Sequence, residues 1–202
     1  MPTGVEVGRL RKARRILVVG PSGAGKTKLA LGLGETLGLP LVHLDSHRWR
    51  AGWVALPHAA WRSAVAELVR KPAWIMDGTY ESTLDLRVPA ADTIVVLERP
   101  RLLCVTGVLR RRLLTRKPRP DAPPGQPLDR AFFRYLWRYP IETRPLLDAA
   151  LREHGKGKAV IVLRGRRRAQ RLVRELRAAA ASSRQVARAA GAESGGGSGR
   201  RR

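Results

Sequence analysis

One octapeptide constrains this chain more than any other feature: Gly20-Pro21-Ser22-Gly23-Ala24-Gly25-Lys26-Thr27, which fits G-x-x-x-x-G-K-[ST]. The apolar run Ile16–Val19 leads directly into it, and a helical pattern begins at Lys26. A strand, a glycine-rich turn and a helix N-terminus in that order form an anion cradle. The glycines let backbone N–H groups turn toward phosphate oxygens, and the helix dipole favours negative charge. Lys26 is placed to reach the β- and γ-phosphates, and the Thr27 hydroxyl to hold Mg²⁺. The motif therefore predicts a nucleoside triphosphate site with ATP and Mg²⁺ as its ligands, contacted by Gly20, Pro21, Ser22, Gly23, Ala24, Gly25, Lys26 and Thr27.

The rest of the pattern fits a sheet that would carry such a loop. Short apolar runs at Ile16–Val19, Leu39–Leu44, Ala73–Met76, Thr93–Leu97 and Ala159–Leu163 are apolar on consecutive positions, as in strands covered on both faces. Helical patterns at 26–37, 58–70, 100–116, 129–152 and 166–181 lie between and after them. Leu102, Val105, Leu109 and Leu113 mark one expected core face, and Ala169, Leu172, Val173 and Leu176 another. Alternating strands and helices predict an α/β P-loop NTPase fold: a five-stranded parallel sheet with helices on both faces. The proline-rich stretch Lys117–Leu128 falls inside a predicted small lid at about 112–130.

Charge and composition bound the ends and the partners. The 202 residues hold 33 arginines and seven lysines against 16 acids, a formal net charge of +24. Residues 1–14 read as a basic flexible arm, 15–181 as the folded domain, and 182–202, rich in Gly, Ser and Arg, as a disordered tail. No run approaches the roughly 20 apolar residues of a membrane span, so no membrane partner is expected. A single cysteine, Cys104, excludes an internal disulfide framework. The expected compartment is the cytoplasm. The excess positive charge points to phosphates, including possible non-specific nucleic acid reached through the arm and tail.

Three strands end in an acid: Asp45, Asp77 and Glu98. Ligands of open α/β sheets sit outside the carboxyl ends of the strands. Phosphoryl transfer uses a carboxylate beside Mg²⁺ and another near the acceptor hydroxyl. Asp77, with Thr27, is the metal-side candidate. Asp45 is the acceptor-side base or substrate contact, with Trp49 and Trp53 as a cover for its pocket. Glu98, before Arg99-Pro100, reads as an ion-pair residue. Arginines at helical spacing could aim at one phosphate cluster: Arg112 with Arg116, and Arg130 with Arg134 and Arg138. Lys26, Asp45, Asp77, Arg112, Arg116, Arg134 and Arg138 form the candidate catalytic set. Arg164, just after the last strand, could flank the adenine or simply open a helix.

These segments resemble a known group. Gly20–Thr27, Leu44-Asp45 with Trp49 and Trp53, Asp77-Gly78-Thr79-Tyr80, Thr83–Arg87, Arg99–Cys104, Phe133–Pro140 and Val162–Arg164 are similar to bacterial P-loop kinase-like proteins known as DNA topology modulation proteins, relatives of adenylate and shikimate kinases. The resemblance spans roughly 15–178 and implies an adenylate-kinase-like core with a small lid. It also implies that Lys26 and Thr27 serve nucleotide and Mg²⁺ and that Asp77 is the acid of the Asp-Gly segment. Thr79, Ala51 and Glu98 depart from the group's usual Asn, Pro and Asp, and the acceptor stays open. Two functions compete. One is an ATP-dependent kinase for a small hydroxylated or nucleotide acceptor; the other is a nucleotide-dependent nucleic-acid-binding regulator.

Overall fold

The structure, a computed structural model, describes residues 4–114 and 122–194. Five strands form one parallel sheet: β1 (Arg15–Val19), β2 (Leu41–His43), β3 (Trp74–Asp77), β4 (Thr93–Glu98) and β5 (Ala159–Arg164). Their order across the sheet is β2-β3-β1-β4-β5. β1 is therefore central, its Val18 facing Asp77 of β3 and Val95 of β4. The loop after β1 opens at the middle of the sheet's carboxyl edge, between the ends of β3 and β4.

Alternation along β1 fills both faces. Ile16 and Val18 point into one core with Ile75, Val95, Ile161 and Leu163, whereas Leu17 and Val19 point into another with Met76, Ile94 and Val96. The first core is closed by α1 (Gly4–Lys12), α2 (Lys26–Leu37), α6 (Arg101–Leu114), α7 (Arg130–Arg138) and α9 (Arg166–Ser194). The second is closed by α4 (His58–Arg70), α5 (Leu84–Ala90) and α8 (Thr143–His154), through Trp61, Val65, Leu84, Val88 and Leu147. A short helix α3 (Leu44–Arg48) leaves β2 directly. This is the P-loop NTPase architecture expected from the sequence, with every strand buried on both sides except the edges.

Several expectations give way. Residues 4–12 are not a flexible arm: α1 buries Val7 and Leu10 against the first core, tied to α9 by Arg168–Glu6 and by Arg11 donating to Ser183. Two apolar side chains one turn apart, set among arginines, suffice because α9 presents Leu172 and Leu176 to them. α9 runs on to Ser194, well past 181; residues 195–202 lie outside the described residues. The stretch 129–152 is two helices, because Pro140 has no N–H to continue the first. Most of the expected face of α6 is turned outward: Leu102, Leu109 and Leu113 are exposed, Val105 packs partly against the first core, and Cys104 and Val108 are buried. The cause is Gly107, which lies so close to the Gly23 carbonyl that a Cβ there would collide with it. The need to pack the phosphate loop sets the rotation of this helix, ahead of its leucine pattern.

Candidate active site

The loop after β1 takes the backbone that its glycines allow. Gly20, Gly23 and Gly25 have φ of 145°, 77° and 109°. A Cβ at Gly23 would run into the Cys104 carbonyl. Gly25 precedes the first turn of α2, so the N-terminal N–H groups of that helix face the loop. Lys26 folds back and donates to the Pro21 carbonyl at 3.1 Å. The residue as a whole is half-buried. Burial lowers its pKa, against the pull of the Asp77 and Asp45 carboxylates.

β3 delivers Asp77 beside this loop. The Thr27 hydroxyl donates to Asp77 Oδ2 at 2.7 Å. Asp77 Oδ1 is buried with no hydrogen-bond partner, and His43 Nδ1 stands 3.4 Å from Oδ2 without hydrogen-bond geometry. A buried carboxylate oxygen left unmatched next to a loop hydroxyl is the donor set a Mg²⁺ ion would complete. Among the described residues no cluster of three His, Cys, Asp or Glu side chains could hold a metal by itself. A cation here would therefore share its shell with phosphate oxygens and water.

The segment after β3 is held in place by two devices. Thr79 Oγ1 accepts from the Gly20 N–H at 3.1 Å and donates to the Gly20 carbonyl at 2.8 Å, pinning this segment to the phosphate loop. Arg87 of α5, fully buried, donates to the carbonyls of Gly78, Thr79, Tyr80 and Thr83 and to the Thr83 hydroxyl. Burial pushes its guanidinium down to about 9, and the matched donors keep it a cation at neutral pH. So braced, Tyr80 adopts φ 37°, a conformation bulky residues rarely take. Its hydroxyl donates to Asp45 Oδ1 at 2.6 Å and accepts from Trp49 Nε1 at 2.9 Å. Burial first, then the Asp45 carboxylate, pushes the Tyr80 hydroxyl far up, so it stays a donor. Trp49 packs on Trp53 with ring centroids 5.4 Å apart, and Trp53 Nε1 donates to the Pro124 carbonyl.

A single cleft of about 1260 Å³ joins these parts, lined by the phosphate loop, Asp77, the Asp45–Tyr80–Trp49 chain and residues 126–135. It brings together Ser22, Gly23, Gly25, Lys26, Thr27, Asp45 and Asp77. Gly20, Pro21 and Ala24 are buried and shape the loop from behind. The arginines are arranged differently from the helical-spacing argument. Arg112 and Arg134 are exposed and do not line the cleft, and Arg138 pairs with Glu142 at 2.7 Å. Arg116 lies outside the described residues. The cleft is lined instead by Arg110, Arg111 and Arg166. Arg99 and Arg166 both donate to the Gly23 carbonyl, at 3.0 and 3.4 Å, and Arg111 donates to Gln126 at 2.9 Å. Arg164 is 82% exposed on its side chain and pairs with Glu98, which Arg144 also holds, at 2.6 Å. Burial pushes the Glu98 carboxyl up, but the two guanidinium groups outweigh it and hold it below its usual range. A signal for Arg166 was available, since it stands two residues past Arg164 at the start of the last helix. Nothing in the spacing distinguishes Arg110 and Arg111 from Arg112.

No family model matches the chain. It is 30% identical over 201 residues to the tRNA dimethylallyltransferase of Mesorhizobium japonicum, covering 91% of this chain and 57% of that protein. The chain thus spans little more than half the length of this curated relative. Among solved structures, it is similar to a shikimate kinase from Acinetobacter baumannii in complex with shikimate. That match has TM-score 0.49 and 18% identity, over 84% of this chain and 94% of the other. A gluconokinase from Sinorhizobium meliloti 1021 gives TM-score 0.48 and 16% identity, over 84% and 92%. Among the described residues no helix is long and apolar enough to cross a membrane.

Proposed function

We propose that the chain is an ATP-dependent phosphotransferase that moves the γ-phosphoryl group to a hydroxyl of a small acceptor. The observation that carries this reading is the shared cleft: Lys26 of the phosphate loop and the Asp45 carboxylate, held by Tyr80, which in turn accepts from Trp49, line one cavity. Nucleotide phosphates would lie on the loop Gly20–Thr27, with Lys26 donating to their oxygens and Arg110, Arg111 and Arg166 nearby. Thr27 and Asp77 would hold Mg²⁺, which when bound would neutralise phosphate charge. The acceptor hydroxyl sits against Asp45, which takes its proton. The acceptor oxygen bonds to the γ-phosphorus, the bond from phosphorus to the bridging oxygen breaks, and ADP leaves with that electron pair. Most of the acceleration comes from positioning and charge stabilisation.

The test is acceptor-stimulated ADP release with a panel of nucleosides, nucleotides, sugars and hydroxy acids. The Lys26→Ala variant serves as control. Lys26-dependent stimulation supports the reading, and equal release by the variant sinks it. A second reading has its own support: the curated relative acts on tRNA, and this chain carries a net charge of +24. In that reading the chain is a nucleotide-dependent nucleic-acid-binding protein of the DNA topology modulation type or an enzyme acting on RNA. Tight, salt-dependent binding of RNA or DNA, without small-acceptor turnover, would favour it.

A further inference from the structure

The cleft has two chemically unlike ends. Its cations gather around the phosphate loop: Arg166 donates to the Gly23 carbonyl, the charge of Arg111 acts on Lys26, and Arg110 follows one turn after Gly107, which packs on Gly23. The other end is lined by the rings of Trp49, Trp53, Tyr80 and Tyr135 and by two carboxylates, Asp45, which accepts from Tyr80, and the exposed Glu81. Both carboxylates act on the Tyr135 hydroxyl. After burial and the neighbouring Tyr139 hydroxyl, they help to push its pKa up, although the ring is 38% exposed. A guanidinium at this end, Arg48, donates to the Leu56 carbonyl and lies 5.8 and 5.7 Å from the ring centroids of Trp49 and Trp61. Its charge is directed at ring faces and a main-chain oxygen. Tyr80 and Trp53, the non-glycine residues with positive φ among those described, both border this end. Local strain of this kind persists where the surroundings over-determine a site.

We infer that this end takes an uncharged hydroxylated compound with a flat ring, of the nucleoside class, and discriminates against acceptors that carry a carboxylate or phosphate. The inference rests on the phosphotransferase reading and gives its acceptor a chemical class. Sugar hydroxyls donate to carboxylates, which only accept. A flat base offers a face to the half-buried, mutually tilted rings of Trp49 and Trp53. An anionic acceptor would meet the Asp45 and Glu81 carboxylates, while Arg48 is turned toward two ring faces and the Leu56 carbonyl. Like-charge juxtaposition of this sort is how sites exclude wrong ligands.

The experiment uses the full chain with two independent readouts. Tryptophan fluorescence quenching measures acceptor binding in the presence of MgADP, with Trp53→Phe as a control for the source of the signal. ADP release from MgATP measures kcat/KM. The panel holds nucleosides, the matching 5′-monophosphates, and a sugar acid such as gluconate. Nucleosides should quench saturably and give kcat/KM at least about tenfold above the monophosphates and the acid. Glu81→Lys, at an exposed position, should narrow that ratio. A monophosphate or sugar acid used as well as the nucleosides overturns the inference. So does the absence of saturable quenching by any nucleoside. Nucleosides that bind with the stated preference but receive no phosphoryl group would uphold the inference and overturn the phosphotransferase reading.

Discussion

Replacing Arg87 by leucine tests how the acceptor side is held up. Arg87 is 0% exposed and reaches four main-chain carbonyls, those of Gly78, Thr79, Tyr80 and Thr83, besides the Thr83 hydroxyl. Leucine would leave those buried oxygens without their donor, at about 1–3 kcal/mol for each one that water cannot reach. Two effects offset part of this: the guanidinium no longer has to be desolvated, and leucine packs as an apolar side chain. The net loss should be about 3–5 kcal/mol, a large share of a typical domain's stability. At roughly 2–4 °C per kcal/mol for a chain of this size, Tm should fall by about 6–20 °C. Urea unfolding followed by tryptophan fluorescence measures it, with Arg87→Lys as the milder variant. Lysine keeps a charge but not the fork, so it should lose about 1–3 kcal/mol and raise the acceptor KM while leaving ATP affinity near normal. A loss below about 1 kcal/mol for Arg87→Leu, with an unchanged acceptor KM, would refute the bracing role.

Three further outcomes follow from the geometry. Gly23→Ala places a Cβ against the Cys104 carbonyl at φ 77°; it should abolish saturable ATP binding by calorimetry and lower Tm. Tyr80→Phe removes the bond to the Asp45 carboxylate and the acceptor for Trp49. A charge-assisted bond of about 1.5–3 kcal/mol lost in this way should raise the acceptor KM by about tenfold or more at constant ATP affinity. Lys26→Met should abolish turnover yet raise Tm of the unliganded protein, because the native pKa of Lys26 is lowered by burial. Between that lowered value and the unfolded value of 10.5 the unfolded chain holds the proton more tightly, so the wild type gains stability as pH rises through this window. The Tm gap between the two proteins should therefore shrink toward alkaline pH; a constant gap would count against the buried ammonium.

The legible parts of the sequence were those governed by local rules. Ile16–Val19 followed by Gly20–Thr27 has one workable geometry, and the order of apolar runs dictated a parallel sheet covered on both faces. The rule that ligands gather at strand ends singles out Asp45 and Asp77, and both line the cleft. What the pattern concealed depended on tertiary contacts. The leucines of α6 suggested one buried face, but the close approach of Gly107 to the phosphate loop selected another, exposing Leu102 and Leu113 and turning Arg110 and Arg111 to the cleft. Four-residue spacing placed Arg134 and Arg138 on a common face without saying that the face meets solvent. The role of Arg87 was hidden because a lone arginine in a short helix looks like a surface residue until the backbone it braces is known.

The measurement that bears most directly on the central claim is transfer of labelled γ-phosphate from ATP to an acceptor by three proteins: wild type, Lys26→Ala and Asp45→Asn. Radiolabel should appear on the acceptor with the wild type and fall by orders of magnitude with either variant. Asp45→Asn should still bind ATP with near-normal affinity. Label transferred equally well by Asp45→Asn, or found only as inorganic phosphate with every acceptor, would contradict a phosphotransferase cleft built between Lys26 and Asp45.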